Sequence, residues 1–197
     1  MMQTAAFLVW ASMQATTVVG PAYPPAAVAG GTVVAVLHVA SGAVSKISIQ
    51  QGDEPFVEPA KAALARWRFK PGETGDTLVV IDFRSPSLLS ATSPSRNLDG
   101  KKALPGLAYP RKVTDPGYPP NSLAEGSVVL RAELSETGTV SDVKPLQGLG
   151  SFTSACTAAV RSWQFAPAHD QKGSASKALV YAVCVFRRPV LPPQPVE

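Results

Sequence analysis

Apolar positions along this chain fall into the same four-part pattern twice. Thr32 to Val39 is β-branched and almost wholly apolar, which predicts a central strand. Ser41-Gly42 is a turn, and Val44, Ile47 and Ile49 mark a second strand, so the two read as a hairpin. The uneven spacing of those three positions departs from strict alternation and predicts a bulge. Ala60, Ala63, Leu64 and Trp67 then recur at i, i+3, i+4 and i+7, the apolar face of a helix. Pro59 lies near its first turn, Pro71-Gly72 lie past its end, and Thr77 to Arg84 predicts a third strand.

The second occurrence follows in the same order. Tyr118-Pro119-Pro120 repeats Tyr23-Pro24-Pro25, Val128-Val129 repeats Val33-Val34, and Gly138, Val140 and Ser141 repeat Gly42, Val44 and Ser45. The second helix face is Cys156, Ala159, Val160 and Trp163, and Leu179 to Arg187 is the last strand. Ala63–Pro71 and Ala159–Pro167 both end Trp-x-Phe-x-Pro. Those aromatic residues could line a ligand cage, but their place at a helix end makes core packing the default. A helix that returns from the second strand sets the third antiparallel to the first. The predicted fold class is therefore α+β: two tandem ββαβ modules, each a three-stranded antiparallel sheet of order 2-1-3 with one helix on one face. The modules span residues 21–86 and 118–188, a Pro/Ser/Gly-rich linker spans 87–117, and a Pro-rich tail spans 189–197. In each module the third strand is expected at the sheet edge.

Composition changes this picture little. Hydrophobic residues are 45% of the chain, enough for a packed core. Residues 21–86 carry six basic and six acidic side chains, 87–117 five and two, and 118–188 seven and five. The charge is modest and unclustered, which argues against nucleic acid as a partner. Residues 1–20 read as a signal-peptide-like leader: Ala5 to Ala11 forms an apolar core, and Ala15 is a candidate end of a cleavage site. The stretch lacks a basic start and is too short and polar to predict a spanning helix, so an inner-membrane anchor is the less favoured reading. Cys156 and Cys184 are the only cysteines. The helix start and the end of an antiparallel third strand lie near each other, so one disulfide is a candidate in an oxidising compartment, with two buried thiols as the alternative.

Little here supports catalysis. His38 lies mid-strand and His169 in a loop, and with two cysteines they have no zinc-like spacing, so no metal or cofactor is expected. Cys156 sits on the apolar helix face, a poor place for a nucleophile paired with His169. The carboxylates form no constrained pair, and the glycines form no phosphate loop. The chain reads as a non-enzyme.

The string Tyr118-Pro119, Gly126-x-Val128-Val129, Gly138-x-Val140-Ser141-x-Val143, Ala159 to Pro167 and a final strand ending at Phe186 resembles the C-terminal domain of TonB, the periplasmic energy transducer of Gram-negative bacteria. Residues 23–84 resemble the same domain more weakly. The resemblance implies two tandem copies, a periplasmic location, and pairing of an edge strand with an extended peptide from an outer-membrane receptor plug. It places that edge at Leu179, Val180, Tyr181, Ala182, Val183, Cys184 and Val185, with Leu78 to Asp82 as the first module's equivalent. TonB's transmembrane helix and long Pro-rich spanning region have no counterpart in the sequence, and Asp115 stands where the family often has Gln. Partner binding is expected, and force transduction by this chain alone is not. The alternative is a self-associating envelope scaffold, a homodimer covering the outward face of Val33–Val39.

Overall fold

The computed structural model describes residues 13–86, 94–98, 104, 106–120, 122 and 124–188. The apolar core of the leader and the Pro-rich tail lie outside them. The first half contains β1 (Ala15–Thr17), β2 (Gly31–Ala40), β3 (Ala43–Gln51), α1 (Val57–Leu64), β4 (Arg68–Phe69) and β5 (Gly75–Phe83). Two connecting strands follow, β6 (Ser95–Asn97) and β7 (Tyr109–Thr114). The second half contains β8 (Gly126–Leu134), β9 (Val140–Gln147), α2 (Ser151–Arg161), β10 (Gln164–Ala166), β11 (Ala168–His169), β12 (Ala175–Ser176) and β13 (Ala178–Phe186).

These elements do not form two separate three-stranded modules. One eight-stranded sheet runs β1-β4-β3-β2-β5-β13-β8-β9, and the expectation of two independent sheets is overturned by the pairing of β5 with β13. That pairing is parallel and runs from Leu78–Val180 to Phe83–Val185. Its cause is legible in the side chains. From Thr77 to Phe83 and from Val180 to Phe186 every residue is buried, so both strands need cover on both faces and on both sides, as central strands do. In isolation each would leave an apolar edge open to aggregation.

Alternation along the paired strands separates two cores. Leu78, Val80, Val180, Ala182 and Cys184 face α2, with Cys156 and Val160, across Val128 and Leu130. Val79, Ile81, Tyr181, Val183 and Val185 face α1, with Ala60 and Leu64, across Val33 and Leu37. The helices therefore lie on opposite faces of one sheet. Each helix spans only its own half, and other segments cover the remaining faces. Met13, Val18 and Val19 pack on the face that holds Tyr181 and Val183. Leu98, Ala108, Tyr109 and Val113 pack on the face that holds Val34, Val36 and Val80. Part of the expected linker is thus folded, with β7 central in a second sheet of order β10-β7-β6.

The two halves repeat their hydrogen bonds as well as their residues. Tyr23 Oη donates to Ala29 O and Tyr118 Oη to Ala124 O, both at 2.8 Å. Ser45 Oγ reaches His38 O at 2.9 Å, and Ser141 Oγ reaches Glu133 O at 3.0 Å. Edge-to-face clusters recur too: Tyr23 lies 6.0 Å from Phe56 and 5.8 Å from Phe83, and Tyr118 lies 5.1 Å from Phe152 and 6.4 Å from Phe186. Trp67 Nε1 donates to Val19 O at 2.8 Å and Trp163 Nε1 to Thr114 O at 3.0 Å, tying each helix end to the segment that precedes its half. Phe69 N and Phe165 N donate to Gly42 O and Gly138 O, at 2.8 and 3.1 Å. Gly42 and Gly138 have φ of 84° and 80°, and a Cβ there would meet Lys70 O at 2.7 Å or Phe165 O at 2.2 Å. Only glycine lets the hairpin turn come this close to the chain behind the helix.

The described end of the expected leader is part of this framework. Met13 is buried, Tyr181 Oη donates to Met13 O at 2.5 Å, and Ala15 N donates to Tyr181 Oη at 2.9 Å. Ala15, the candidate cleavage end, lies inside β1, which pairs with β4. Replacing Tyr181 with Phe removes one donor and one acceptor while keeping the ring. We expect the variant to lose about 1–3 kcal/mol in urea unfolding, because buried backbone groups are left unpaired. An unchanged midpoint would show that this segment does not hold the sheet.

Candidate functional site

Strand β13 was the expected docking edge, and in the folded chain it has no free side. Leu179 to Val185 pair with β8 along their whole length, from Leu179–Glu133 to Val185–Ser127, and with β5 from Val180 onward. Leu78 to Asp82 are closed in the same way between β2 and β13. The edge-strand expectation therefore fails for both sets of residues. An edge is defined by what lies beside a strand, and here each third strand lies beside the other.

The open edges are elsewhere. Strand β9 ends the sheet, and β3 is met on its outer side by β4 only at Ala43–Arg68. Both strands carry two register shifts against their partners. Such bulges, with Lys46 on β3 and with Lys144 and Pro145 on β9, blunt indiscriminate pairing. Leu146 on β9 is 40% exposed, one of two exposed large hydrophobic residues among those described.

Cys156 and Cys184 are joined by a disulfide that ties α2 to β13, with both residues fully buried. The bond closes a sequence separation of 28 residues. It has no access to solvent and serves the core. By its loop length, its removal through Cys156→Ser with Cys184→Ser should lower stability by roughly 3–4 kcal/mol in denaturant unfolding. Loss of less than 1 kcal/mol (roughly, by the same scale) would mean the core holds α2 unaided.

The junction of the halves holds buried charge. Arg84, just past β5, donates Nε–H to Pro116 O at 2.9 Å and lies 5.2 Å over the Tyr118 ring. Arg187, just past β13, donates to Ala27 O at 2.7 Å and lies 5.8 Å over Tyr23. Each half thus sends an arginine onto the aromatic cluster of the other. Between them Asp82 and Asp115, exposed by 0 and 1%, flank the guanidinium of Arg96. Thr32 Oγ1 donates to Asp82 Oδ1 at 3.3 Å, and Ser85 N donates to Asp115 Oδ2 at 3.2 Å. One guanidinium faces two carboxylates: Asp115 Oδ1 lies against Arg96 Nη1, and among the described residues Asp82 Oδ2 has no hydrogen-bond partner. Burial, and then the charge of Asp115, hold the Asp82 carboxyl well above the ordinary carboxylate range, at about 8, against the pull of Arg96. The signals were a lone Asp in an apolar strand and an acid at position 115, both in view in the sequence.

Asp82 keeps its proton in the folded chain where the unfolded chain has lost it. The folded state thus binds more protons between about pH 4 and pH 8, and stability falls as pH rises through that window. Urea midpoints at pH 5, 7 and 9 should decline in that order. In Asp82→Asn the decline should flatten, because the amide stays neutral. A wild-type midpoint that is level or rises with pH would contradict the assignment.

Among the described residues no group of three or more His, Cys, Asp or Glu is placed to hold a metal. His38 is satisfied within the fold, with Nδ1 2.7 Å from Asp76 and Nε2 2.9 Å from Ser48. His169 lies exposed in β11. No helix among the described residues is long and apolar enough to cross a membrane. The second half contributes β8, β9 and β13 to the shared sheet, with α2 packed on one face of it. Residues 114–186 match the family described as Gram-negative bacterial TonB protein C-terminal. The match begins at Thr114, the carbonyl that receives Trp163, and ends at Phe186, the last residue of β13. The family is a non-enzymatic energy-transducer domain of the Gram-negative periplasm, associated with outer-membrane receptors. A search of the curated proteins finds no match to the chain.

Proposed function

We propose that this chain is a non-enzymatic binding protein of the periplasm, exported by its leader, in which two TonB-C-like halves form one sheet. The repeated hydrogen bonds and aromatic clusters support reading residues 21–86 as a diverged copy of the matched domain. The partner is an extended segment of a protein in outer-membrane transport, a receptor plug peptide by family likeness, and it adds as a strand to the outer side of β9. The observation that carries this reading is the closure of β13 on both sides, which leaves β9 as the open edge of the matched half. Main-chain hydrogen bonds would supply affinity, and the bulged register with Leu146 would supply selectivity. The alternative of a self-associating scaffold loses its motivation, since the apolar face of Val33–Val39 is covered within one chain.

Titration of the purified protein with TonB-box-like peptides, followed by backbone NMR, tests this. Saturable binding is expected, with shifts centred on β9, lost when proline is placed mid-peptide and weakened about fivefold or more by Leu146→Asp. Shifts centred on β3, or no binding at all, would overturn the assignment to β9.

A further inference from the structure

The two folded halves begin at equivalent points, and in the first half that point lies inside the expected leader. In the second half β7 pairs with β10, with Pro110 opposite Phe165 and Lys112 opposite Gln164. In the first half β1 pairs with β4, with Ala15 opposite Phe69 and Thr17 opposite Arg68. The same alignment sets Val19, whose carbonyl receives Trp67, against Thr114, whose carbonyl receives Trp163. It also sets Met13 against Ala108, and both side chains are buried. Residues 13–19 are thus the first half's copy of 108–114, a working part of the folded unit.

The chain from Met13 to Ala15 is held by four hydrogen bonds. Met13 O accepts from Tyr181 Oη at 2.5 Å, and Ala15 N donates to the same hydroxyl at 2.9 Å. Gln14 N donates to Glu73 Oε2 at 2.9 Å, and Gln14 O accepts from Lys70 N at 3.0 Å. Cleavage after Ala15 would remove all four, and with them the Met13 side chain from the core beneath α1. The fully buried Tyr181 would keep neither partner of its hydroxyl, and a new ammonium would stand at Thr16, inside β1.

A leader that ends before Met13 avoids this cost. Export cleavage sites carry small residues at the last position of the leader and two positions before it. Ending at Ser12 would put the large Trp10 at the earlier position. Ending at Ala11 puts the short, branched Val9 there and coincides with the end of the apolar core. We infer that the Ala11–Ser12 bond is the processing site and that the mature chain begins at Ser12. This rests on the reading of the chain as an exported protein. Hydrolysis adds one water across the amide: Ala11 leaves as the leader's carboxylate, and the nitrogen of Ser12 becomes an α-ammonium. The cut falls one residue ahead of the fold, so export takes nothing from the sheet.

The test expresses the whole chain in a Gram-negative host and reads the periplasmic fraction by N-terminal sequencing and intact mass. The expected start is Ser12-Met13-Gln14. Ala11→Leu should reduce that product by about tenfold or more, and Ala15→Leu should leave the start unchanged. Two shortened chains, released from a removable fusion, test the physical ground. The one that begins at Thr16 should unfold at lower urea than the one that begins at Ser12, with a folding constant lower by about tenfold or more. A periplasmic chain that starts at Thr16 or is uncut, an Ala11→Leu variant processed as before, or equal urea midpoints would overturn the inference. An uncut chain confined to the cytoplasm would overturn the export reading and this inference with it, so the two failures are distinct.

Discussion

The parallel pairing of β5 with β13 governs everything else in this molecule. Two strands that are apolar on both faces cannot end a sheet in water, and each supplies the neighbour the other lacks. Because the strands are equivalent in the two halves and run parallel, the operation relating the halves is a rotation about the strand direction. Such a rotation exchanges the two faces of the sheet. The helices must then lie on opposite faces, and each must leave the other half's face bare. The chain resolves this with the segments that precede each half, Met13–Gly20 and β6–β7, laid across the bare faces and pinned by Trp67 and Trp163.

This arrangement explains why the Trp-x-Phe-x-Pro motif is kept in both halves. Trp lies under the covering segment and donates its N–H to it, and Phe lies in a short strand that pairs with it, β4 with β1 and β10 with β7. Proline two residues later stands just past that short strand, the helices having ended at Leu64 and Arg161. Where the halves differ, polarity enters. Asp115 occupies the position of Gly20, and Asp82 that of Val185. The buried Asp82–Arg96–Asp115 group therefore belongs to one crossing of the seam only. It ties β6 and the residue after β7 to β5, at the expense of stability above the titration of Asp82.

Much of the local structure was legible. The all-apolar run of β2, the helix faces and the bulged hairpins followed from spacing and residue type, and the family that residues 114–186 match followed from the resemblance of their motifs. The seam was not read, although its signal was present. Thr77–Phe83 and Val180–Phe186 lack the in-out alternation of a strand with one wet face, and a continuous apolar run indicates a strand enclosed on all sides. Treating each repeat as complete made those strands edges. The connecting segment is rich in Ser, Pro and Lys, and its buried Ala108, Tyr109 and Val113 lack the alternation that marks a strand, so its cover of half a sheet is not legible in spacing. The leader was assigned through residue 20 on composition, which cannot register that Val19 O meets an indole N–H 48 residues away.

Fusion of the halves also moves the surface on which a partner can act. In a lone ββαβ domain the third strand is the natural place for strand addition, because it is unpaired over its length. Here that capacity is spent within the chain, and recovering it by parting β5 from β13 would expose two faces of fully buried Val, Ile, Leu and Phe together with the Asp82 group. Burial of each such side chain is worth about 1.5–3 kcal/mol, so opening the seam would exceed the whole stability of a typical domain, about 5–15 kcal/mol. A partner must instead meet the sheet where pairing is incomplete without opening it. An outer strand such as β9 meets that condition.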